Sequence, residues 1–159
     1  MEHLEFLNEY QEDNRIEAKR AQGGLPLSIW ETYSSFANTL GGVILLGVAE
    51  DDMDKTLYSV PIPDPDELVR EFWTMVNDPR VVSANILEPE DVQILKSGGN
   101  RIVVIFVPRA GFQFRPVYIG GDPYSGTFYR RGEGDYRCPR HEVEAMLQDQ
   151  WDPAPLSGL

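Results

Sequence analysis

Apolar residues recur along this chain with two different periods, and the period predicts the type of element. In LSIWETYSSFANTL, residues 27–40, the apolar positions have helical spacing, and Gly41 or Gly42 can supply the left-handed residue that ends a helix. The pattern predicts a second amphipathic helix within residues 61–78. A last helix is expected to open at Pro139.

Strand patterns occupy most of the remaining segments. Residues 15–19 alternate apolar and charged side chains, which is typical of a half-buried strand. The continuous apolar run VILLGVA, residues 43–49, predicts a central strand covered on both faces. Residues 90–108 are two β-rich runs joined by SGGN, which predicts a hairpin. RPVYIG and TFYRRG, residues 115–120 and 127–132, are expected to form two further strands.

This order of elements predicts a single α+β domain with a mixed β-sheet and about three helices. The length of 159 residues suits one compact core. We expect an arm or short helix over residues 1–9, the domain over 10–150, and a Pro-rich tail or linker stub over 151–159. No apolar run is long enough to span a membrane, and the N-terminus lacks the pattern of a signal peptide, so we expect a cytoplasmic protein without a membrane partner.

The charge of the chain is distributed unevenly. A net charge of −12 argues by itself against a nucleic-acid partner, because affinity for phosphate backbones comes largely from Lys and Arg. Residues 50–78 carry nine acids and two cations, a balance of −7, whereas residues 101–140 carry seven arginines and three acids, a balance of +4. One region is therefore acidic and another is basic.

Metal chemistry based on thiolates is excluded by the composition. The single Cys138 rules out an intramolecular disulfide and any thiolate-rich zinc site. Any metal bound here would be a hard cation held by carboxylates, such as Mg or Mn.

Acids gather in the sequence where the predicted central strand ends. Converging carboxylates repel each other unless a divalent cation or a basic side chain lies between them. One interpretation is a metal site able to activate water. The alternative is a set of solvated acids, with Glu17 paired to Lys19 or Arg20. The candidate metal ligands are Glu12, Glu17, Glu50 and Asp51.

The segment TFYRRGEGDYRCPRH, residues 127–141, combines aromatic and basic side chains, as nucleic-acid-binding surfaces do. Strand alternation puts Tyr129 and Arg131 on one face and Phe128 and Arg130 on the other, so only half of them can share a surface. The alternative is that one arginine is buried and compensates the negative charge of the acid cluster. The candidate nucleic-acid contacts are Lys19, Arg20, Tyr129, Arg130, Arg131, Tyr136, Arg137 and Arg140.

Nucleotide binding through a glycine-rich loop is not expected. The chain has no G-x-x-x-x-G-K-[ST] pattern, and the glycine pair at 41 and 42 precedes a strand where a phosphate loop would precede a helix, so we do not expect ATP as a ligand. Asn38 lies next to the helix break and could cap the helix end or hold the following loop; capping is the role we expect.

Residues 12–52 resemble the opening of the Schlafen AlbA-like domain. That family has E-x-x-x-x-E-x-K, then a helix ending A-F-A-N-x-x-G-G, then a strand ending G-V with acids after it. This chain has Glu12, Glu17 and Lys19, then FANTLGG with Asn38, Gly41 and Gly42, then Gly47 and Val48 followed by Glu50 and Asp51. RPVYI and GTFYRRGEGDYRCPRHEVEAM resemble the closing strands, the arginine-glycine turn and the last helix of the family.

The resemblance implies an α+β fold and a nucleic-acid-binding module of bacterial proteins described as transcriptional regulators, with DNA as the expected nucleic acid. In eukaryotic Schlafen relatives with endoribonuclease activity, two glutamates five residues apart and a later aspartate form the active centre. Glu12 and Glu17 have that spacing, and Glu50 or Asp51 falls at the third place. Our first hypothesis is a non-catalytic nucleic-acid-binding module. The alternatives are a Mg- or Mn-dependent endoribonuclease using Glu12, Glu17 and Asp51, and a protein-interaction or dimerisation module for which a homodimer is one expected assembly.

Overall fold

A computed structural model describes residue 11 and residues 14–151 of the chain. It has four α-helices, one short 3-10 helix at Pro89–Asp91 and eight strands in these residues, so the α+β class is confirmed. In chain order the elements are β1 Ile16–Lys19, α1 Ile29–Asn38, β2 Gly42–Leu46, β3 Val48–Glu50, β4 Leu57–Ser59, α2 Pro65–Val76, β5 Val92–Ser97, β6 Asn100–Val107, α3 Pro123–Gly126, β7 Phe128–Arg131, β8 Gly134–Arg137 and α4 Arg140–Trp151. The predicted arm at 1–9 and the residues 152–159 of the predicted tail lie outside the described part.

The main sheet is mixed, as predicted, with the strand order β1-β2-β6-β5. β1 lies parallel to β2, while β2 and β5 each pair antiparallel with β6. Strand β2 is buried along its whole length, because one face packs with α1 and α2 and the other face contributes to a second, smaller apolar cluster. The expectation of a central strand covered on both faces is therefore confirmed.

The three helices expected from the pattern are present. Helix α2 begins where Asp64 accepts a hydrogen bond from the backbone N–H of Glu67 at 3.1 Å, and α4 begins directly after Pro139. Helix α1 ends at a left-handed residue, since Gly41 has φ +78° and its N–H donates to the carbonyl of Phe36. The one-turn helix α3 was not predicted. No helix among the described residues is both long and apolar enough to cross a membrane.

Two strand predictions were wrong. VILLGVA is not one strand, because Gly47 has φ +87° and turns the chain, so β3 leaves the main sheet and pairs with β4. RPVYIG makes only isolated bridges, Val82 to Ile119 and Tyr118 to Thr127. The backbone of Val117 bonds to side chains of α1. The following residues bond to Ser83, Val81 and Gly126, none of which lies in a strand of the sheets.

Helix α1 lies between the main sheet and the β7–β8 hairpin. From residue 29 to residue 37 only Glu31 is exposed, although the helix carries several hydroxyl groups. A helix buried on all sides must bond its polar side chains to neighbouring elements. These hydrogen bonds of α1 form the framework of the candidate functional site.

Candidate functional site

Arg130 is the central side chain of the site and is only 6% exposed. Its Nη1 donates to Oε1 of Glu17 at 3.0 Å and to Oδ1 of Asp135 at 2.9 Å. Its Nε donates to the carbonyl of Asn14 and its Nη2 to the carbonyl of Ile16, both at 3.0 Å. This guanidinium therefore joins β1, β7 and β8. The alternative prediction, that one arginine of this segment is buried against the acids, is confirmed for Arg130.

Asp135 extends the same network to α1. Its Oδ2 accepts from the hydroxyl of Thr32 at 2.8 Å, and its Oδ1 accepts from the hydroxyl of Ser35 at 2.6 Å. The Arg130 guanidinium also lies 5.0 Å from the ring centre of Phe36, on the same helix. One guanidinium and two hydroxyl groups thus offset the negative charge of the Asp135 carboxylate, whose side chain is only 14% exposed.

The sequence analysis missed Asp135. The signal was present, because in the hairpin register Asp135 is the direct cross-strand partner of Arg130, and opposite charges favour such pairs. Predicting β8 as the antiparallel partner of β7 would have placed the two side chains on one face.

Asn38 does not cap α1, so that prediction was wrong. Its Nδ2 donates to the carbonyls of Val117 and Phe128 at 2.9 and 3.0 Å, and its Oδ1 accepts from the N–H of Val117 at 2.8 Å. Ser34, one turn earlier, donates to the Val117 carbonyl at 2.7 Å and accepts from the Phe128 N–H at 3.0 Å. The amide therefore joins α1 to two segments that are distant in the sequence.

The outer face of the hairpin, defined here as the side chains of Tyr129, Arg131 and Tyr136, points away from α1. Tyr129 and Tyr136 are cross-strand partners with ring centres 6.2 Å apart, and Tyr136 is 52% exposed. Arg131 and Arg137 are exposed, Arg137 at the open end of the hairpin opposite Phe128. Over residue 11 and residues 14–151, the acid-base pairs within salt-bridge distance do not include Arg131 or Arg137.

The other candidate nucleic-acid-binding residues do not belong to this face, and their side chains already contact protein atoms. Lys19 donates to the hydroxyl of Ser28 at 2.9 Å and lies 3.9 Å from Glu17. Arg20 donates to the Tyr58 hydroxyl at 3.3 Å. Arg140 lies over the ring of Tyr124 at 4.1 Å and 3.5 Å from Glu144.

Comparisons with known proteins agree with the resemblance seen in the sequence. Residues 2–139 match the family described as Schlafen, AlbA_2. The chain belongs to this family. A search of curated proteins gives no match.

Two solved structures are similar to this Schlafen AlbA_2 domain. One is the solution NMR structure of the N-terminal domain of a Nitrosomonas europaea protein described as related to the ATP-dependent DNA helicase RecG. It is 32% identical, with a TM-score of 0.58, over 86% of this chain and 85% of that one. The other is the DIP2311 protein from Corynebacterium diphtheriae, 18% identical with a TM-score of 0.54, where the match covers 88% of this chain and 25% of that one. The second likeness concerns the fold alone.

Two of the acids proposed as metal ligands in this Schlafen AlbA_2 domain meet at a cavity of about 130 Å³. Glu17 and Glu50 line it together with Glu133 and Arg130. The arginine thus stands beside the carboxylates, which is the arrangement expected if a basic side chain offsets their repulsion.

Asp51 is not among the described residues that line that cavity. Oδ1 of Asp51 accepts from the N–H groups of Met53 and Asp54, at 2.8 and 3.1 Å, and so stabilises its own turn. Glu12 lies outside the part of the chain that the structure describes. Within that part, no three His, Cys, Asp or Glu side chains are placed to hold a metal ion. The set Glu12, Glu17 and Asp51 therefore stays a prediction.

Proposed function

We propose that this chain is a nucleic-acid-binding module and that it serves as the DNA-binding part of a bacterial transcriptional regulator. Membership of the Schlafen AlbA_2 family and the likeness to a domain of a RecG-related protein support a role connected with nucleic acid. The observation that carries the proposal is the outer face of the hairpin, where two tyrosine rings and the guanidinium of Arg131 share one exposed surface.

The chemistry of this face suits a polyanion with aromatic bases. A guanidinium donates two parallel hydrogen bonds to a phosphate, and a tyrosine ring offers a plane for stacking. Arg137, the cross-strand partner of Phe128, belongs to the other strand face, but it is exposed at the open end of the hairpin and adds a second guanidinium there. The hairpin is held by the Arg130 and Asp135 network, so its outer side chains are positioned before a partner arrives and binding costs less ordering entropy.

The proposed contact set is smaller than the set of candidates from the sequence. Arg130 is buried and donates four hydrogen bonds to protein oxygen atoms, so we propose that its role is to stabilise the position of the hairpin. Lys19, Arg20 and Arg140 already have protein partners. We therefore propose Arg131 and Arg137 as the phosphate contacts and Tyr129 and Tyr136 as the stacking rings.

The test is fluorescence anisotropy with labelled mixed-sequence DNA and RNA over a range of salt concentrations. Arg131→Ala with Arg137→Ala should weaken binding and lower the slope of log affinity against log salt by about 2, since each phosphate contact contributes about 0.9. The matched control is Arg70→Ala with Arg80→Ala, which removes the same charge from two exposed arginines on other segments. No binding of either nucleic acid at low salt would end the proposal, and equal behaviour of the two double variants would exclude the hairpin as the surface.

A metal-dependent ribonuclease is the second candidate function, because Glu17 and Glu50 line one cavity. Against it, Glu17 already pairs with Arg130 at 3.0 Å, and a metal would have to compete with that guanidinium. Cleavage of structured RNA that needs Mg or Mn and is lost in Glu17→Gln would support this candidate. Absence of cleavage with every divalent ion tried would remove it.

A further inference from the structure

The loop of residues 109–115, RAGFQFR, exposes two phenylalanine rings between two arginines. Phe112 is 37% exposed and Phe114 is 49% exposed, while Ala110 beside them is buried. Single apolar side chains on a surface are ordinary, but two exposed rings within one short basic loop offer a partner two planes for stacking.

The loop is fixed by hydrogen bonds, so its rings are held in solvent by the fold. The N–H of Phe114 donates to the carbonyl of Gly111 at 2.9 Å, and the N–H of Arg115 donates to the same carbonyl at 3.2 Å. From α4, Nε2 of Gln150 donates to the carbonyls of Gln113 and Arg115 at 3.1 and 3.2 Å.

The loop lies in a stretch of sequence without negative charge. No Asp or Glu stands between Asp91 and Asp122. Arg115 turns its guanidinium back onto the carbonyl of Ala110 and so supports the loop. Burial first, and then the positive charge of Arg109, lower the pKa of Arg115, while Asp149 on α4 partly offsets this. Two guanidinium groups that repel each other are a favourable place for an anion.

The loop and the β7–β8 hairpin are both fastened to the end of α1. The N–H of Ala110 donates to the carbonyl of Ala37 at 2.8 Å, and the N–H of Arg130 donates to the hydroxyl of Thr39 at 3.0 Å. Ala37 belongs to the last turn of α1 and Thr39 is the residue directly after the helix, so both basic, aromatic segments begin beside the same end of α1.

We propose that the loop and the outer face of the hairpin together bind single-stranded nucleic acid, with bases stacked on Phe112 and Phe114 and phosphates at Arg109 and Arg131. This inference rests on the proposed function and names its substrate class. In a duplex the base faces are covered by neighbouring bases, whereas a single strand can turn them onto protein rings. The rings in the loop therefore favour single strands over duplexes.

The experiment compares a labelled mixed-sequence single strand, as DNA and as RNA, with the duplex of the same DNA sequence. Wild type should bind a single strand more tightly than the duplex. Phe112→Ala with Phe114→Ala should weaken single-strand binding about tenfold or more, because each stacked base contributes strongly, and should change duplex binding less than twofold. The control, Leu27→Ala with Met53→Ala, removes two exposed apolar side chains elsewhere and should bind like wild type. Arg109→Ala should lower the salt slope by about one phosphate contact.

The outcomes separate this inference from the proposed function. No binding of any of the three probes by wild type would overturn both. Binding by wild type that is unchanged in the phenylalanine double variant would overturn the inference alone, as would equal or tighter binding of the duplex. Urea unfolding midpoints equal to wild type in the variants would show that a loss of binding comes from the missing rings and not from unfolding. Whichever single strand, DNA or RNA, binds wild type more tightly is then assigned as the preferred ligand.

Discussion

Arg130 and Arg131 are neighbours in the chain but have opposite environments. Arg130 faces α1, is 6% exposed and bonds to two carboxylates and two carbonyls. Arg131 lies on the outer face with two tyrosine rings and is exposed. Because successive side chains of a strand point to opposite faces, one residue step separates an arginine that holds the fold from one that can meet a partner.

The same contrast holds for the whole region around α1. On the inner side, Thr32, Ser34, Ser35 and Asn38 bond to the hairpin and its neighbours. On the outer side, the exposed rings and guanidinium groups have few protein partners. The inner side is therefore expected to determine stability, and the outer side is expected to determine binding.

The largest effect is expected for Arg130→Ala. Removing this guanidinium leaves Glu17 and Asp135 without their shared cation in a largely buried site, and such a loss costs about 3 kcal/mol of unfolding free energy. Urea unfolding followed by circular dichroism measures the change.

Arg131→Ala is the matched control for this substitution. It removes the same side chain one position away and should change stability by less than about 0.5 kcal/mol. Similar losses of stability in the two variants would contradict the division into an inner and an outer side.

A smaller loss, about 2 kcal/mol, is expected for Asn38→Ala. The substitution leaves the N–H of Val117, a fully buried residue, without its acceptor. It also removes the amide donor from the carbonyls of Phe128 and Val117, of which the second keeps the hydroxyl of Ser34. Unfolding in urea gives the value. Asn77→Ala is the comparison, because Asn77 is exposed, donates to the carbonyl of Trp73 and accepts from the side chain of Asn85, which is also exposed. A loss at Asn38 no larger than the loss at Asn77 would show that the amide does not join these segments in solution.

Local patterns were sufficient to predict much of the fold. The periods of α1 and α2, the fully apolar β2 and the SGGN turn between β5 and β6 each depend on residues close in the sequence. The alternation that separates Arg130 from Arg131 is also a local property, and it was predicted correctly as a rule for TFYRRG. Which of the two faces would be buried was not decided by the strand itself.

What the sequence did not reveal depends on contacts between distant segments. Asn38 bonds to residues 79 and 90 positions further along the chain, and no local pattern distinguishes that role from capping. RPVYIG has the composition of a strand, yet its backbone bonds to side chains of α1. The break at Gly47 depends on β3 finding β4 as its partner. In each case a tertiary contact overrides the local preference.

Among the substitutions of buried side chains, Tyr33→Phe is expected to have the smallest effect at neutral pH. The Tyr33 hydroxyl donates to the carbonyl of Ala84 and accepts from the N–H of Ile86, both at 3.0 Å, and the residue is fully buried. Losing these bonds should cost about 1 kcal/mol near pH 7. Urea unfolding of the two proteins gives the difference.

The order of stability of these two proteins should reverse in alkali. Burial raises the pKa of Tyr33 from 10.0 to about 12, although the hydrogen bond from Ile86 opposes the shift. A pKa raised by folding means that the folded state favours the neutral phenol. The contribution of the phenol to the free energy of unfolding is complete below pH 10, the pKa of tyrosine in the unfolded chain, and is lost as the pH rises through about 12. At pH 11 the loss is about 1.4 kcal/mol, which cancels the advantage of the hydroxyl. Because phenylalanine does not titrate, the stability difference between wild type and Tyr33→Phe should fall to about zero near that pH and change sign above it. A difference that stays constant from pH 8 to pH 11 would show that the phenol is not desolvated in the folded protein.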